Sequence, residues 1–384
     1  MNKICLPRYI VAGDDSLEDL RDELLKRGTR RVLLVTDANL FRAHQKRMEA
    51  LLQGFESHVL SDVSEEPDFG YVEDRWQGLA QRPPDAIVAW GGGSVIDAAK
   101  ALLFKLEKPE EKLEEVSPFV HYGIGEKIRL FVVPTTAGTG SDASFGIVLT
   151  RQDRQGRVKT PLGSYELVPY ATYLEPELTL GLGPNATRAT ALDALTHALE
   201  AYIATGASEF TDALAEKTVE LIYDSLPVAY SSGSDREARR KLQVAATMAG
   251  VALTNSGLGL AHCLGHALGS VFGTVHGSSV GVYLPYIVRY NSAQKQSVRE
   301  KYTRLSERLG YSAMPAALSA LYTKVGAAYN LAMLGISEAD VRENLERLVE
   351  IAASDSEIVF NPVLPRREHI RDILLESIRG SPFA

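Results

Sequence analysis

The spacing of apolar residues changes character near residue 180, and this change constrains the fold more than any other feature of the chain. Upstream, short apolar runs alternate with amphipathic stretches. Arg31-Val-Leu-Leu-Val-Thr36 reads as a buried strand, followed by a helix from about Leu40 to Leu52. Asp85-Ala-Ile-Val-Ala-Trp90 reads as a second strand, running directly into Gly91-Gly92-Gly93-Ser94 and a helical pattern to about Leu106. Ile128-Arg-Leu-Phe-Val-Val133 is a third, stopped by Pro134. Ile147-Val148-Leu149 and Ala171-Thr172-Tyr173-Leu174 are expected as further strands, joined by a polar segment carrying Gly156 and Gly163. Strands alternating with helices imply βαβ units and a mostly parallel sheet.

Downstream, apolar residues recur at helical spacing, as in Ala191, Leu192, Leu195 and Leu199, or Leu214, Val219, Ile222 and Leu226. Gly181-Leu-Gly183-Pro184-Asn185 reads as a linker, with Asn185 or Thr187 as the next helix cap. A chain of 384 residues is long for one core. Two domains are expected: an α/β domain over residues 1–180 and an all-α domain over 181–384.

Charge narrows the partners. Forty-one Lys and Arg against 49 Asp and Glu leave a net charge of −8, which gives no global attraction to nucleic acid or an anionic membrane. Arg30-Arg31 and Arg239-Arg240 read as solvated faces, and the run from Glu107 to Glu115 as a solvated helix end or loop. Cys5 and Cys263 form no Cys-x-x-Cys pair, so a reducing compartment is expected. The N-terminus runs into charged residues without an apolar leader, and no stretch reaches the ~18 apolar residues of a membrane span. The expected location is cytoplasmic.

Two segments have the make-up of phosphate-binding turns. A strand, the three glycines Gly91, Gly92 and Gly93, then Ser94 and a helix let backbone N–H groups approach an anion, with the helix N-terminus adding positive potential. The plainer alternative is a tight turn with Ser94 and Asp97 as a capping box. Thr135-Thr136-Ala137-Gly138-Thr139-Gly140-Ser141 follows another strand and is dense in hydroxyls that can donate to phosphates, ribose or amide. Ligands of open α/β sheets bind at such strand ends. Asp37, after the first strand, can accept from an adenosine ribose and disfavour a 2′-phosphate, or simply cap a helix.

The helical half carries the second signal. Asp193 and His197 are four residues apart, on one helix face, and so are His262 and His266; His276 follows. Four of the eight histidines fall in these clusters. An acid with three imidazoles suits Fe(II) or Zn(II) better than Mg(II) or Ca(II). Spacing leaves open whether His262 or His266 is the ligand.

These stretches carry a resemblance. Gly91-Gly-Gly-Ser-Val-Ile-Asp97, Pro134-Thr-Thr-Ala-Gly-Thr-Gly-Ser141, Asp193-Ala-Leu-Thr-His-Ala-Leu-Glu-Ala-Tyr202, Asn255-Ser-Gly-Leu-Gly-Leu-Ala-His-Cys-Leu-Gly-His266 and His276-Gly277 resemble the iron-containing (group III) alcohol dehydrogenases in order and spacing. The resemblance implies a Rossmann-like dinucleotide-binding domain, an all-helical domain of the dehydroquinate-synthase-like fold, and a site in the cleft between them. It implies Asp193, His197, His262 and His276 as metal ligands, and His266 beside substrate and nicotinamide. Asp37 then goes with NAD, NADP being less expected, and Lys159 matches a lysine that contacts the cofactor. Gly91, Gly92, Gly93, Ser94, Asp97, Thr135, Thr136, Thr139 and Ser141 are expected around its phosphates.

The chemistry so implied is hydride transfer between NAD(H) and a small primary alcohol or aldehyde, with iron expected and zinc allowed. His266, or the cofactor ribose with water, is expected to relay the alcohol proton to solvent. A glycerol-dehydrogenase-like or dehydroquinate-synthase-like enzyme is the alternative, and a non-catalytic binder a lesser one. The chain departs from the family at His266-Ala267, Val280-Gly281 and Asn361-Pro362-Val363, which bears on pocket shape. Phe145, Gly146 and Leu258 are candidate pocket walls or plain packing. A homodimer, or a multiple of one, is the default assembly.

Overall fold

The computed structural model describes residues 3–153 and 156–383. The chain divides into two compact units, one over Ile4–Leu180 and the other beginning at Gly181.

The first unit runs β1 (Tyr9–Ala12), α1 (Ser16–Lys26), β2 (Arg31–Val35), α2 (Ala38–Leu52), β3 (Glu56–Leu60), α3 (Phe69–Ala80), β4 (Ala86–Gly91), α4 (Gly93–Glu107), β5 (Arg129–Pro134), β6 (Gly146–Asp153), β7 (Gly156–Gly163) and β8 (Ala171–Leu174). Six strands form one sheet in the order β1-β8-β5-β4-β2-β3, every pairing parallel. Alternate residues serve opposite faces, as strand geometry requires. Leu33, Val35, Ile87, Ala89, Leu130 and Val132 pack with α3 and α4. Val32, Leu34, Ala86, Val88, Phe131 and Val133 pack with α1 and α2. Both faces are covered, which explains why these strands read as unbroken apolar runs.

Two strands were not legible. β1 is largely exposed, and β3 begins Glu56-Ser57-His58, so neither shows a buried pattern. The segment expected as a polar connection is strand β7, which pairs antiparallel with β6 outside the main sheet.

The second unit is helical: α5 (Pro184–Ile203), α6 (Glu209–Ser231), α7 (Arg236–Ser256), α8 (Leu260–Phe272), α9 (His276–Gln294), α10 (Gln296–Arg308), α11 (Met314–Val325), α12 (Glu338–Glu343), α13 (Leu345–Ser354) and α14 (Arg367–Glu376). No single helix among the described residues is long and apolar enough to cross a membrane.

Three local expectations are corrected. α5 is capped at Gly183 with Pro184 at its first position, so neither Asn185 nor Thr187 is the cap; proline fits there because its missing N–H would be unpaired anyway. Arg239 is buried rather than solvated, donating to the carbonyls of Gly233 and Leu182 and to Thr187 Oγ1. Glu107, at the end of α4, accepts from the Gly125 and Ile128 amides and so anchors a loop instead of facing only water.

Candidate metal centre and nucleotide-binding loops

Three helices bring the acid and the histidines together. Asp193 and His197 lie one turn apart on α5, His262 and His266 one turn apart on α8, and His276 opens α9. Gly273 ends α8 in the left-handed conformation, at φ 66°, which reverses the chain and brings His276 back beside His262. Gly277 permits the close approach to α5: a Cβ there would stand 2.0 Å from the Ala189 carbonyl oxygen.

Asp193 Oδ1 sits at the centre of the cluster. It lies 3.3 Å from His276 Nε2, 3.7 Å from His262 Nε2 and 3.8 Å from His197 Nε2. In a tetrahedral site with bonds of about 2.1 Å, neighbouring ligand atoms stand roughly 3.4 Å apart. Asp193 Oδ1 and His262 Nε2 are buried without a hydrogen-bond partner among the described residues. Buried polar atoms are normally paired, so these two are oriented for something other than each other. The ligand atoms of Asp193, His262 and His276 lie within 4.8 Å of one another, close enough to share a metal ion. His197 lies beside that set of three and not within it, its Nε2 3.8 Å from Asp193 Oδ1 and its ring stacked on His262 at 4.6 Å. The side chains of Asp193, His197 and His262 are at most 5% exposed and that of His276 is 30% exposed, so the cluster opens on the His276 side.

Carboxylates behind the rings fix their orientation. Glu200 Oε2 accepts from His262 Nδ1 at 2.6 Å, and Glu200 Oε1 accepts from the Ala261 amide at 2.6 Å. Because a carboxylate only accepts, Nδ1 carries a proton, and once His262 gives up its second proton Nε2 is the atom left with a lone pair on the side of Asp193. Asp355 Oδ2 is 2.7 Å from His266 Nδ1, and its other oxygen accepts from the Glu357 amide. Neither Glu200 nor Asp355 was assigned from sequence. Glu200 continues the helical face of Asp193 and His197, a usable signal; Asp355 is 89 residues from His266 and gave none.

The charges sort accordingly. Burial raises the Asp193 carboxyl, but the surrounding histidines outweigh it and hold the group well below the usual carboxylate range. Burial lowers His262, yet Glu200 and Asp193 hold it up at about 10. His276 is lowered by burial despite Asp193. Burial opposes ionisation of Asp355, and the bond to His266 reverses this to leave it lowered.

The first unit gathers the expected loop residues at the C-terminal ends of adjacent strands. Gly91 closes β4 opposite Pro134, which closes β5. A Cβ on Gly93 would meet Thr139 Cγ2 at 2.7 Å and one on Gly92 would meet Thr136 Cγ2 at 3.2 Å, so the hydroxyl loop rests directly on the glycine turn. The capping-box alternative is not what forms: Gly92 caps α4 without a side chain, Ser94 Oγ donates to the Glu65 carbonyl, and Asp97 is turned inward. Asp97 is buried, accepting from Ser141 Oγ at 3.0 Å and the Val148 amide at 2.9 Å. Thr135 is buried at the base of the loop, its amide bonded to the Gly91 carbonyl. Asp37 caps α2, its Oδ1 accepting from the Asn39 and Leu40 amides. Lys159, on β7, lies 3.4 Å from Glu66 Oε1. Phe145 stacks on Tyr165 at 5.0 Å, and Leu258 is buried with its amide bonded to Glu357.

Known families match both units. A model described as iron-containing alcohol dehydrogenase matches residues 7–176, and one described as the C-terminal part of the Fe-containing alcohol dehydrogenase family matches residues 187–378. The chain belongs to the iron-containing alcohol dehydrogenase family. It is 32% identical over 384 residues to an alcohol dehydrogenase of Thermococcus barophilus, covering 97% of this chain and 98% of that one. It is 31% identical over 386 residues to the NADPH-dependent butanol dehydrogenase of Clostridium saccharobutylicum, covering 97% of each. It is also similar to the solved iron-containing alcohol dehydrogenase of Thermococcus thioreducens, with a TM-score of 0.89 and 30% identity over 99% of this chain and 100% of that one. As a member of this family the protein is an oxidoreductase acting on alcohols, built from a parallel six-stranded α/β domain and a helical domain.

Proposed function

We propose that this iron-containing alcohol dehydrogenase transfers a hydride between NAD(H) and a small primary alcohol or aldehyde, with one divalent metal held by Asp193, His197, His262 and His276. The observation that carries the reading is Asp193 Oδ1, buried, without a hydrogen-bond partner among the described residues and within 3.8 Å of three imidazole Nε2 atoms. The donor set of one carboxylate and three imidazoles fits Fe(II) and allows Zn(II). When bound, the metal supplies Lewis acidity toward the alcohol or aldehyde oxygen, and the nicotinamide supplies the hydride acceptor or donor.

The chain's own groups do the rest. Glu200 holds His262 in the tautomer that keeps Nε2 for ligation. His266, oriented by Asp355, takes up the alcohol proton at Nε2 and passes it to solvent. Backbone N–H groups of the Gly91–Gly93 turn, the start of α4 and the hydroxyls of Thr135, Thr136, Thr139 and Ser141 serve the cofactor phosphates and ribose. Asp97 fixes Ser141 from behind. Asp37 Oδ2, outside the two capping bonds, serves the adenosine ribose, and Lys159 contacts the cofactor. The Clostridium relative is named for NADPH, so cofactor choice in this chain rests on Asp37.

The test is to strip metal, reload anaerobically with Fe(II) or Zn(II), and follow NADH and NADPH oxidation against short aldehydes. Metal-dependent turnover with NADH is the expected result. Turnover indifferent to metal would remove the cage from the reaction, and turnover with NADPH alone would remove the role given to Asp37.

A further inference from the structure

Lys100 follows Asp97 by one helical turn on α4 and is fully buried. Taking an ammonium out of water is costly unless it is paired and hydrogen-bonded. Its Nζ donates to the carbonyl oxygens of Ser144 at 2.8 Å and Gly146 at 2.9 Å. Burial lowers its pKa to about 8, with the carboxylates of Asp97 and Asp142 opposing that drop. A methionine or leucine would fill the same space without the desolvation cost, so the ammonium contributes something packing does not.

What it contributes is visible in the partners. Ser144 and Gly146 lie where the hydroxyl loop leaves for β6. Asp97 grips the same segment at Ser141 and Val148. A single turn of α4 therefore holds the chain at four points between the end of the loop, at Ser141, and Val148 in β6, and that helix begins in the glycine turn on which Thr136 and Thr139 rest. Loop and turn share one support.

We infer that Lys100 is a positioning residue for the nicotinamide nucleotide, holding the Thr135–Ser141 loop in register with the Gly91–Gly93 turn through Ser144 and Gly146. The inference rests on the cofactor assignment proposed above. Lys100 does not touch the reacting atoms; its effect falls on nucleotide affinity.

The experiment is a fluorescence titration of NADH with the metal-loaded protein and its Lys100→Met variant, from pH 6.5 to 9.5. Loss of the charged hydrogen bonds is expected to raise the dissociation constant about tenfold. KM for NADH rises with it, the change falling there rather than on kcat. In the unaltered protein affinity weakens as pH passes about 8 and Lys100, whose charged neighbours among the described residues are Asp97 and Asp142, loses its proton. Lys100→Met abolishes that pH dependence, which a merely structural lysine would not set. Should the single variant fail to fold, Asp97→Asn with Lys100→Met leaves no excess carboxylate at position 97 and is expected to show the same flattened profile. Equal NADH affinity in the folded variant, a loss confined to kcat, or a flat profile in the unaltered protein would each overturn the inference. No NADH binding by the unaltered protein would instead overturn the cofactor assignment, and this inference with it.

Discussion

Glu200 joins two structures with one carboxylate: Oε2 accepts from His262 Nδ1 and Oε1 from the Ala261 amide, each at 2.6 Å. The second bond satisfies an N–H of the first turn of α8, which has no partner within its own helix. Gly259, which caps that helix, leaves room for it; a Cβ there would stand 3.0 Å from Glu200 Oε1. The ring that faces Asp193 is thus tied to the position of α8 itself.

Glu200→Gln is expected to weaken metal binding by about 10- to 100-fold, the usual effect of losing a carboxylate behind a ligating histidine. An amide can present its NH2 to His262 Nδ1 and favour the tautomer that protonates Nε2. Competition against a chelator of known affinity measures this. An unchanged affinity would show that α8 packing alone orients the ring.

His262→Ala and His266→Ala should separate ligation from proton transfer. The first is expected to lose metal and activity together. The second keeps its metal, turns over more slowly and changes its pH–rate profile, as does Asp355→Asn, because the partner of His266 Nδ1 is altered. Stoichiometric metal retained in His262→Ala would take that residue out of the ligand set.

Metal uptake should depend on pH. Ligation needs neutral His262, which the metal-free cage holds protonated up to about 10. Asp193 is held well below the usual carboxylate range by the histidines, and burial shifts His276 toward its neutral form. Binding therefore displaces a proton from His262, and apparent affinity rises with pH. Proton release on adding Zn(II) in weak buffer, with dissociation constants at pH 6, 7 and 8, checks both parts. Affinity that does not vary with pH would contradict the proton count.

Asp37 serves two purposes that substitution can part. Asp37→Ser keeps a helix-capping oxygen and removes the carboxylate, so the melting temperature should hold while use of NADPH relative to NADH improves. Asp37→Ala should show the same cofactor shift and lose about 0.5–2 kcal/mol of stability with the cap. A cofactor ratio unchanged in both would reduce Asp37 to the cap seen at α2.

Gly277→Ala tests the approach of α9 to α5. The added Cβ would lie 2.0 Å from the Ala189 oxygen, so the helices must separate. Overpacking of this kind costs on the order of 1–3 kcal/mol. His276 would shift away from Asp193, so metal content should fall with the melting temperature. A variant with full metal content would show that α9 can move without its first residue.

The class of each half is legible in the apolar spacing, and helical spacing brings out the candidate residues of the cage while leaving His262 and His266 unsorted. Unbroken apolar runs ending in glycine and hydroxyl turns specify a doubly covered parallel sheet, because strands buried on both faces have no polar positions to interrupt them. Asp193 with His197, and His262 with His266, are legible because helical geometry places residues four apart on one face. Tertiary structure decided what local spacing cannot encode. It turned His276 back beside Asp193 through Gly273, set Glu200 behind His262 and Asp355 behind His266, buried Arg239 against α5, and aimed Lys100 at carbonyls 44 and 46 residues away. Those partners meet only when separate elements pack, and a buried charge finds its counterpart through the fold rather than along the chain.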